Sequence, residues 1–141
     1  MDRVRQTGLW ALGMLAASLS YAAVADSNFD GSWATTVTCE NARGGLGYEY
    51  DFVSTIRDGV LHGLHGTLGE PGYLQIDGKV EPDGTGKLHA RGIIGSREVT
   101  PGREEPRGTE YGYSIGAHFS GSSGTGKRLV GRPCTIVFEK Q

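Results

Sequence analysis

Residues 48–57 read Tyr-Glu-Tyr-Asp-Phe-Val-Ser-Thr-Ile-Arg. Tyr48, Tyr50, Phe52 and Ile56 fall on one side of an extended chain, and Glu49, Asp51, Thr55 and Arg57 on the other. Side chains of a strand alternate between two faces, so this spacing predicts a strand with one apolar and one wet face. Asp58-Gly59 follows at once, a strong two-residue hairpin signal, and Val60 to Leu68 reads as the return strand.

The same grammar extends in both directions. Upstream, Gly31 to Cys39 places Trp33, Thr35, Val37 and Cys39 on one face. Downstream, Glu70-Pro71-Gly72 turns the chain into Tyr73 to Val80, and Pro82-Asp83-Gly84 turns it into Gly86 to Gly95. Thr109 to Gly121 follows, with Tyr111, Tyr113, Ile115, Ala117 and Phe119 on one face. Gly121 to Gly126 reads as a turn, Lys127 to Arg132 as a strand, and Cys134 to Lys140 as the last strand. Ser96 to Gly108 is polar, charged and proline-containing, and reads as the longest exposed loop.

Eight short strands in sequence, without helical periodicity, predict an all-β fold. An eight-stranded antiparallel up-and-down barrel is the expected architecture, because closure removes exposed sheet edges. A two-sheet sandwich is the alternative, since periodicity alone does not separate closure from stacking. Many of the 24 glycines lie inside strands. There they suggest bulges and bends, and some unfilled space in the lumen.

The amino terminus predicts export. Arg3 and Arg5 precede a short apolar stretch, Leu9 to Leu19, and Ala23-Val24-Ala25 supplies the small residues of a cleavage site. The apolar run is shorter than the ~20 residues needed to span a bilayer. Residues 1–25 are therefore expected to be a cleaved secretory signal and 26–141 a single domain, periplasmic or secreted, with no membrane insertion after cleavage. Losing one acid and two bases with the leader moves the net charge from −2 to −3. That is too mild to point to nucleic acid or an anionic surface.

Cys39 and Cys134, 95 positions apart, are the only cysteines. In an oxidising compartment they are expected to pair. Cys39 ends the first strand and Cys134 begins the last, and in a closed meander those ends lie opposite each other. One disulfide would then staple the closing seam.

Asp30-Gly31-Ser32-Trp33 resembles the Gly-x-Trp opening of the calycin superfamily, the barrels of lipocalins, fatty-acid-binding proteins and avidins. Asp58-Gly59-Val60-Leu61-His62-Gly63 is similar to the turn-and-strand phrase of avidin-like chains. The resemblance implies that Trp33 closes one end of a barrel and that an arginine late in the chain, Arg132 or else Arg128, packs over it. The aromatic later strands that line an avidin's biotin pocket are missing, as is the lipocalin's terminal helix, so no ligand carries over.

Constellations for chemistry are weak. His62 and His65 lie three apart on one strand, hence on opposite faces, and His118 lies opposite the apolar set Tyr113, Ile115 and Phe119. The four histidines are expected to be solvent-facing or singly bonded, with no metal site. No serine sits in an activating context, and no catalytic residue or cofactor is expected. Gly121 to Arg128, GSSGTGKR, is close to a phosphate-binding loop. Arg128 stands where that motif needs a hydroxyl, and no helix follows, so a nucleotide is not expected.

What stands out is aromatic. Tyr48, Tyr50, Tyr111 and Tyr113 sit on two strands, and an eight-stranded barrel has room for filling side chains or one small ligand. The expected function is a non-enzymatic binding barrel for a small apolar or amphipathic ligand, lined by Trp33, Tyr50, Phe52, Tyr113 and Phe119. The alternative is a protein-binding module working through Ser96 to Gly108, such as an inhibitor of a secreted or periplasmic hydrolase. Its partner would be an envelope protein.

Overall fold

A computed structural model describes residues 28–41, 47–95, 98–100, 103–105 and 107–141, the last two short segments before 107 as backbone. The expected signal sequence, residues 1–25, lies outside the described residues. Among the described residues there is no helix. Eight strands form a closed barrel: β1 (Gly31–Cys39), β2 (Tyr48–Arg57), β3 (Val60–His65), β4 (Leu74–Val80), β5 (Thr85–Ile93), β8 (Glu110–Ser120), β9 (Ser123–Arg128) and β10 (Cys134–Lys140). Ser96–Gly108, expected as a loop, instead holds two further short strands, β6 (Glu98–Thr100) and β7 (Arg103–Glu105), which pair with each other as a separate hairpin between β5 and β8; residues 96–97, 101–102 and 106 of that segment lie outside the described residues.

Every barrel strand pairs antiparallel with its neighbour in the chain, and β10 closes on β1. The barrel, not the sandwich, is therefore the fold. Cys39 and Cys134 face each other at the β1–β10 seam and form the disulfide, with Cα atoms 4.0 Å apart.

The two barrel ends differ. One end carries the tight turns 58–59, 81–84 and 121–122; the other carries the long links 40–47, 66–73, 94–109 and 129–133. At the tight-turn end Asp58 and Gly59 both adopt positive φ, 51° and 73°, as a type I′ hairpin turn requires. The Asp30 carboxylate accepts both turn amides, from Asp58 at 2.9 Å and from Gly59 at 3.3 Å. The Asp-Gly-Ser-Trp opening thus ties the chain's first strand to the turn between the next two.

The core gathers above those turns. Trp33 is fully buried, with Phe119 edge-on at 5.2 Å, and Phe119 packs on Phe138 at 4.8 Å and on Phe29 at 6.0 Å. The Trp33 indole N–H donates to the Phe29 carbonyl at 2.8 Å, so its one polar atom is satisfied. Leu61, Ile76, Ile115 and Ile136 continue the packing, each buried. Thr35 and Ser54 are also buried, and their hydroxyls lie 2.8 Å apart, one satisfying the other.

The cation over the Trp33 ring is Lys140, 5.9 Å from its centroid. Neither Arg132 nor Arg128 fulfils the expected role. Register decides this: Lys140 is the residue opposite Trp33, whereas both arginines lie at or beyond the far end of β9.

GSSGTGKR also folds differently from its reading as a six-residue turn. Gly121 and Ser122 alone make the turn, β9 occupies 123–128, and 129–133 link it to β10. Of its three glycines only Gly121 has a positive φ, +60°. Gly124 and Gly126 are buried on the inner face of β9. A Cβ on Gly124 would lie 2.6 Å from Phe119 Cδ1, so the glycine is the seat of that ring. Gly92 is the same kind of seat for Tyr111, and Gly63 for Phe52. At these three positions a strand glycine makes room that a neighbouring ring occupies.

Phe119 is hemmed in by Trp33, Phe29 and Phe138 and has nowhere to retreat. Gly124→Ala is expected to cost about 1–3 kcal/mol by overpacking. Urea unfolding measures it, and an unchanged midpoint would show that the ring is free to shift.

Candidate functional site

The long-link end carries a different set of side chains. β2 and β8 stand on opposite walls, since three strands separate them whichever way one goes round the barrel. Tyr48 and Tyr50 point inward from the upper part of β2, and Tyr111 and Tyr113 from the upper part of β8. Tyr48 and Tyr50 have ring centroids 4.9 Å apart, and Tyr111 and Tyr113 stack 6.4 Å apart at 9°.

These two pairs meet across the lumen. Burial pushes the Tyr111 and Tyr113 phenols above their ordinary value, and Tyr48 is the next largest cause for both. The opposing effect of the Arg128 guanidinium on Tyr113 is smaller. Both phenols therefore keep their protons and stay able to donate a hydrogen bond.

His65 ends β3 and joins this group, its ring stacked on Tyr50 at 4.0 Å and 12°, with Phe52 6.3 Å away. The expectation of solvent-facing or singly bonded histidines fails here. Leu61, Gly63 and His65 share the inner face of β3, so His65 follows the apolar residues inward. Its Nδ1 is buried and without a hydrogen-bond partner, and so is the Tyr113 hydroxyl. An orphaned buried polar atom costs about 1–3 kcal/mol, so two in one cluster call for an explanation.

Arg128 closes the set from the top of β9. Its guanidinium carbon lies 4.5 Å from the centre of the Tyr113 ring, and its Nε donates to the Val130 carbonyl at 2.6 Å. Among the described residues no carboxylate forms an ion pair with it.

The five residues expected to line a ligand site are thus separated. Tyr50, Phe52 and Tyr113 belong to the long-link end. Trp33 and Phe119 pack against each other at the opposite end, 0% and 1% exposed. His65 and Arg128 were missed. Period-two counting signals both: His65 from Leu61 and Gly63, Arg128 from Gly124 and Gly126 once β9 is started at Ser123.

The remaining histidines lie on the outer face. His62 bonds Asp77 through Nδ1, and Gln75 Nε2 donates to the same carboxylate at 2.6 Å. His89 and His118 are exposed. Among the described residues no three histidine, cysteine or carboxylate side chains come together as a metal site. Comparison of the chain with known protein families, with curated proteins and with solved structures finds no match.

The raised phenols predict an alkaline instability. In the unfolded chain these tyrosines ionise around the ordinary value of 10.0, while in the barrel they hold their protons above it. Above that pH the unfolded chain binds fewer protons, so stability is level below it and falls as pH rises, by up to about 1.4 kcal/mol per phenol per pH unit. Urea midpoints measured across that range, with phenolate absorbance appearing in step with unfolding, check this.

Proposed function

We propose that this chain is a non-enzymatic exported barrel that binds a small apolar or amphipathic ligand at its long-link end. The observation that carries the reading is the pair of buried, unpartnered polar atoms, His65 Nδ1 and Tyr113 Oη, set among aromatic rings. Ligand sites are mostly apolar surfaces with a few polar groups that fix orientation, and this cluster has that composition. The signal-like leader and the disulfide support a periplasmic or secreted location.

A thermal-shift screen of small amphiphiles tests it. A ligand at a hundred times its Kd stabilises by about 2.7 kcal/mol, a readily measured rise in Tm. The rise should disappear in Tyr113→Phe or His65→Ala. A protein that is empty by native mass spectrometry and unmoved by any amphiphile would sink the reading.

One observation favours a second reading, a protein-binding module such as a hydrolase inhibitor, working through the 129–133 link rather than through Ser96 to Gly108. Leu129 and Val130 are 64% and 81% exposed on the β9–β10 link. That link is held by the Leu129 amide on the Ser114 carbonyl at 3.0 Å, by Arg128 on Val130, and by the disulfide at its end. Pinned apolar residues at a loop tip suit protein contact, because little ordering entropy remains to be lost. Capture of a secreted hydrolase that survives in wild type and fails in Leu129→Ser/Val130→Ser would support it.

A further inference from the structure

Resting on the small-ligand reading, we infer that the long-link end selects a planar ring carrying a carboxylate, the aromatic-acid class. The inference comes from which polar groups the cluster contains and which it lacks. Tyr113 offers a buried hydroxyl that makes no well-formed hydrogen bond, though the Tyr48 side chain stands close enough to help hold its proton, so it stays able to donate. Arg128 lies over the same ring, and the bond from its Nε to Val130 leaves the two terminal nitrogens on the guanidinium's other edge. A guanidinium over the ring of a phenol that is able to donate supplies the two kinds of donor that a carboxylate takes.

Nothing on the inner wall competes with an anion. Among the described inward residues of the upper strands, none is acidic; the inner faces there read Tyr48, Tyr50, His65, Leu74, Tyr111 and Tyr113. Their flat faces suit a ring, and the Tyr50–His65 stack presents one aromatic platform already formed. His65 Nδ1, also buried and unpartnered, takes a ring hydroxyl, as donor or acceptor according to its tautomer. The outward acids Glu49 and Asp51 are turned away by the strand's alternation, with Asp51 bonded to Thr36 at 2.7 Å. Among the described inward side chains of the upper strands, Arg128 is thus the one formal charge, and it favours an anion.

Titration of the purified protein with 4-hydroxybenzoate, phenol and cyclohexanecarboxylate, followed by isothermal calorimetry and by amide shifts of residues at this end, tests the class. We expect 4-hydroxybenzoate to bind at least about tenfold more tightly than phenol, the ratio that one charge-assisted hydrogen bond supplies. Cyclohexanecarboxylate should be weaker than the aromatic acid. Arg128→Gln should bring the acid-to-phenol affinity ratio down to about one. Arg128→Lys should recover part of the loss, since it keeps the charge without the fork. Phenol binding as tightly as the acid, or an acid-to-phenol ratio that survives Arg128→Gln, would overturn the carboxylate assignment and leave the aromatic site standing. If none of the three compounds shifts amides at this end, the assignment fails outright; the amphiphile screen then decides the broader reading separately.

Discussion

Replacing Cys39 and Cys134 together by alanine is expected to remove about 4–5 kcal/mol of stability and to lower Tm by about 15 °C. The bond joins residues 95 apart, which span almost the entire barrel, so cutting it restores nearly the largest loop entropy this chain can gain on unfolding. Its position adds to the effect. Cys39 and Cys134 form the first rung of the β1–β10 ladder, and Glu40 N donates to Pro133 O at 2.9 Å just beyond it. That ladder is the seam that must close before the other seven pairings enclose a core. Both cysteines are nearly inaccessible, at 2% and 3% exposure, so reductant should act slowly on the folded protein and quickly in urea. Urea unfolding of the double variant measures the loss. A change below about 1 kcal/mol would mean that strand pairing alone holds the seam.

Trp33→Ala is expected to cost about 3–5 kcal/mol, the range for emptying a fully buried aromatic site. Three losses coincide. The indole leaves a void between Phe119 and the β1 wall, the Phe29 carbonyl loses its donor, and Lys140 loses the ring beneath it. Phe29 itself is buried and touches Phe119, so the segment before β1 should loosen with it. Should the alanine variant fail to fold, Trp33→Phe keeps the argument testable. It retains most of the packing, removes the bond to Phe29, and should cost about 1–3 kcal/mol. Circular dichroism through a urea titration reads both; a phenylalanine variant as stable as wild type would show that the Phe29 bond contributes nothing.

Much of the barrel was legible because its signals are local. Alternation in Tyr48–Arg57, the Asp58-Gly59 turn and the cysteines at the ends of β1 and β10 each follow from neighbouring residues or from simple strand counting. The errors arose where a residue's meaning depends on what lies across the sheet. In sequence Gly124 and Gly126 suggest a turn, because glycine marks flexibility. In the barrel they sit beside the inward side chains of β8, where Phe119 and Ile115 need the space of a missing Cβ. The arginine expected over Trp33 proved to be Lys140, since only register specifies what stands opposite a given residue.

The candidate site divides along the same line. The sequence by itself determined that the chain alternates and turns, and that its aromatic residues share the apolar face, because side-chain period and turn chemistry are properties of a few adjacent residues; closure was decided by the β1–β10 pairing. Only the tertiary structure decided that Trp33 and Phe119 seal one end while Tyr50, Phe52 and Tyr113 gather at the other. It alone stacked His65 on Tyr50 and set Arg128 over Tyr113. The reason is physical: closing eight strands brings β2 face to face with β8 across the lumen, and that opposition joins residues some sixty positions apart that no local pattern connects.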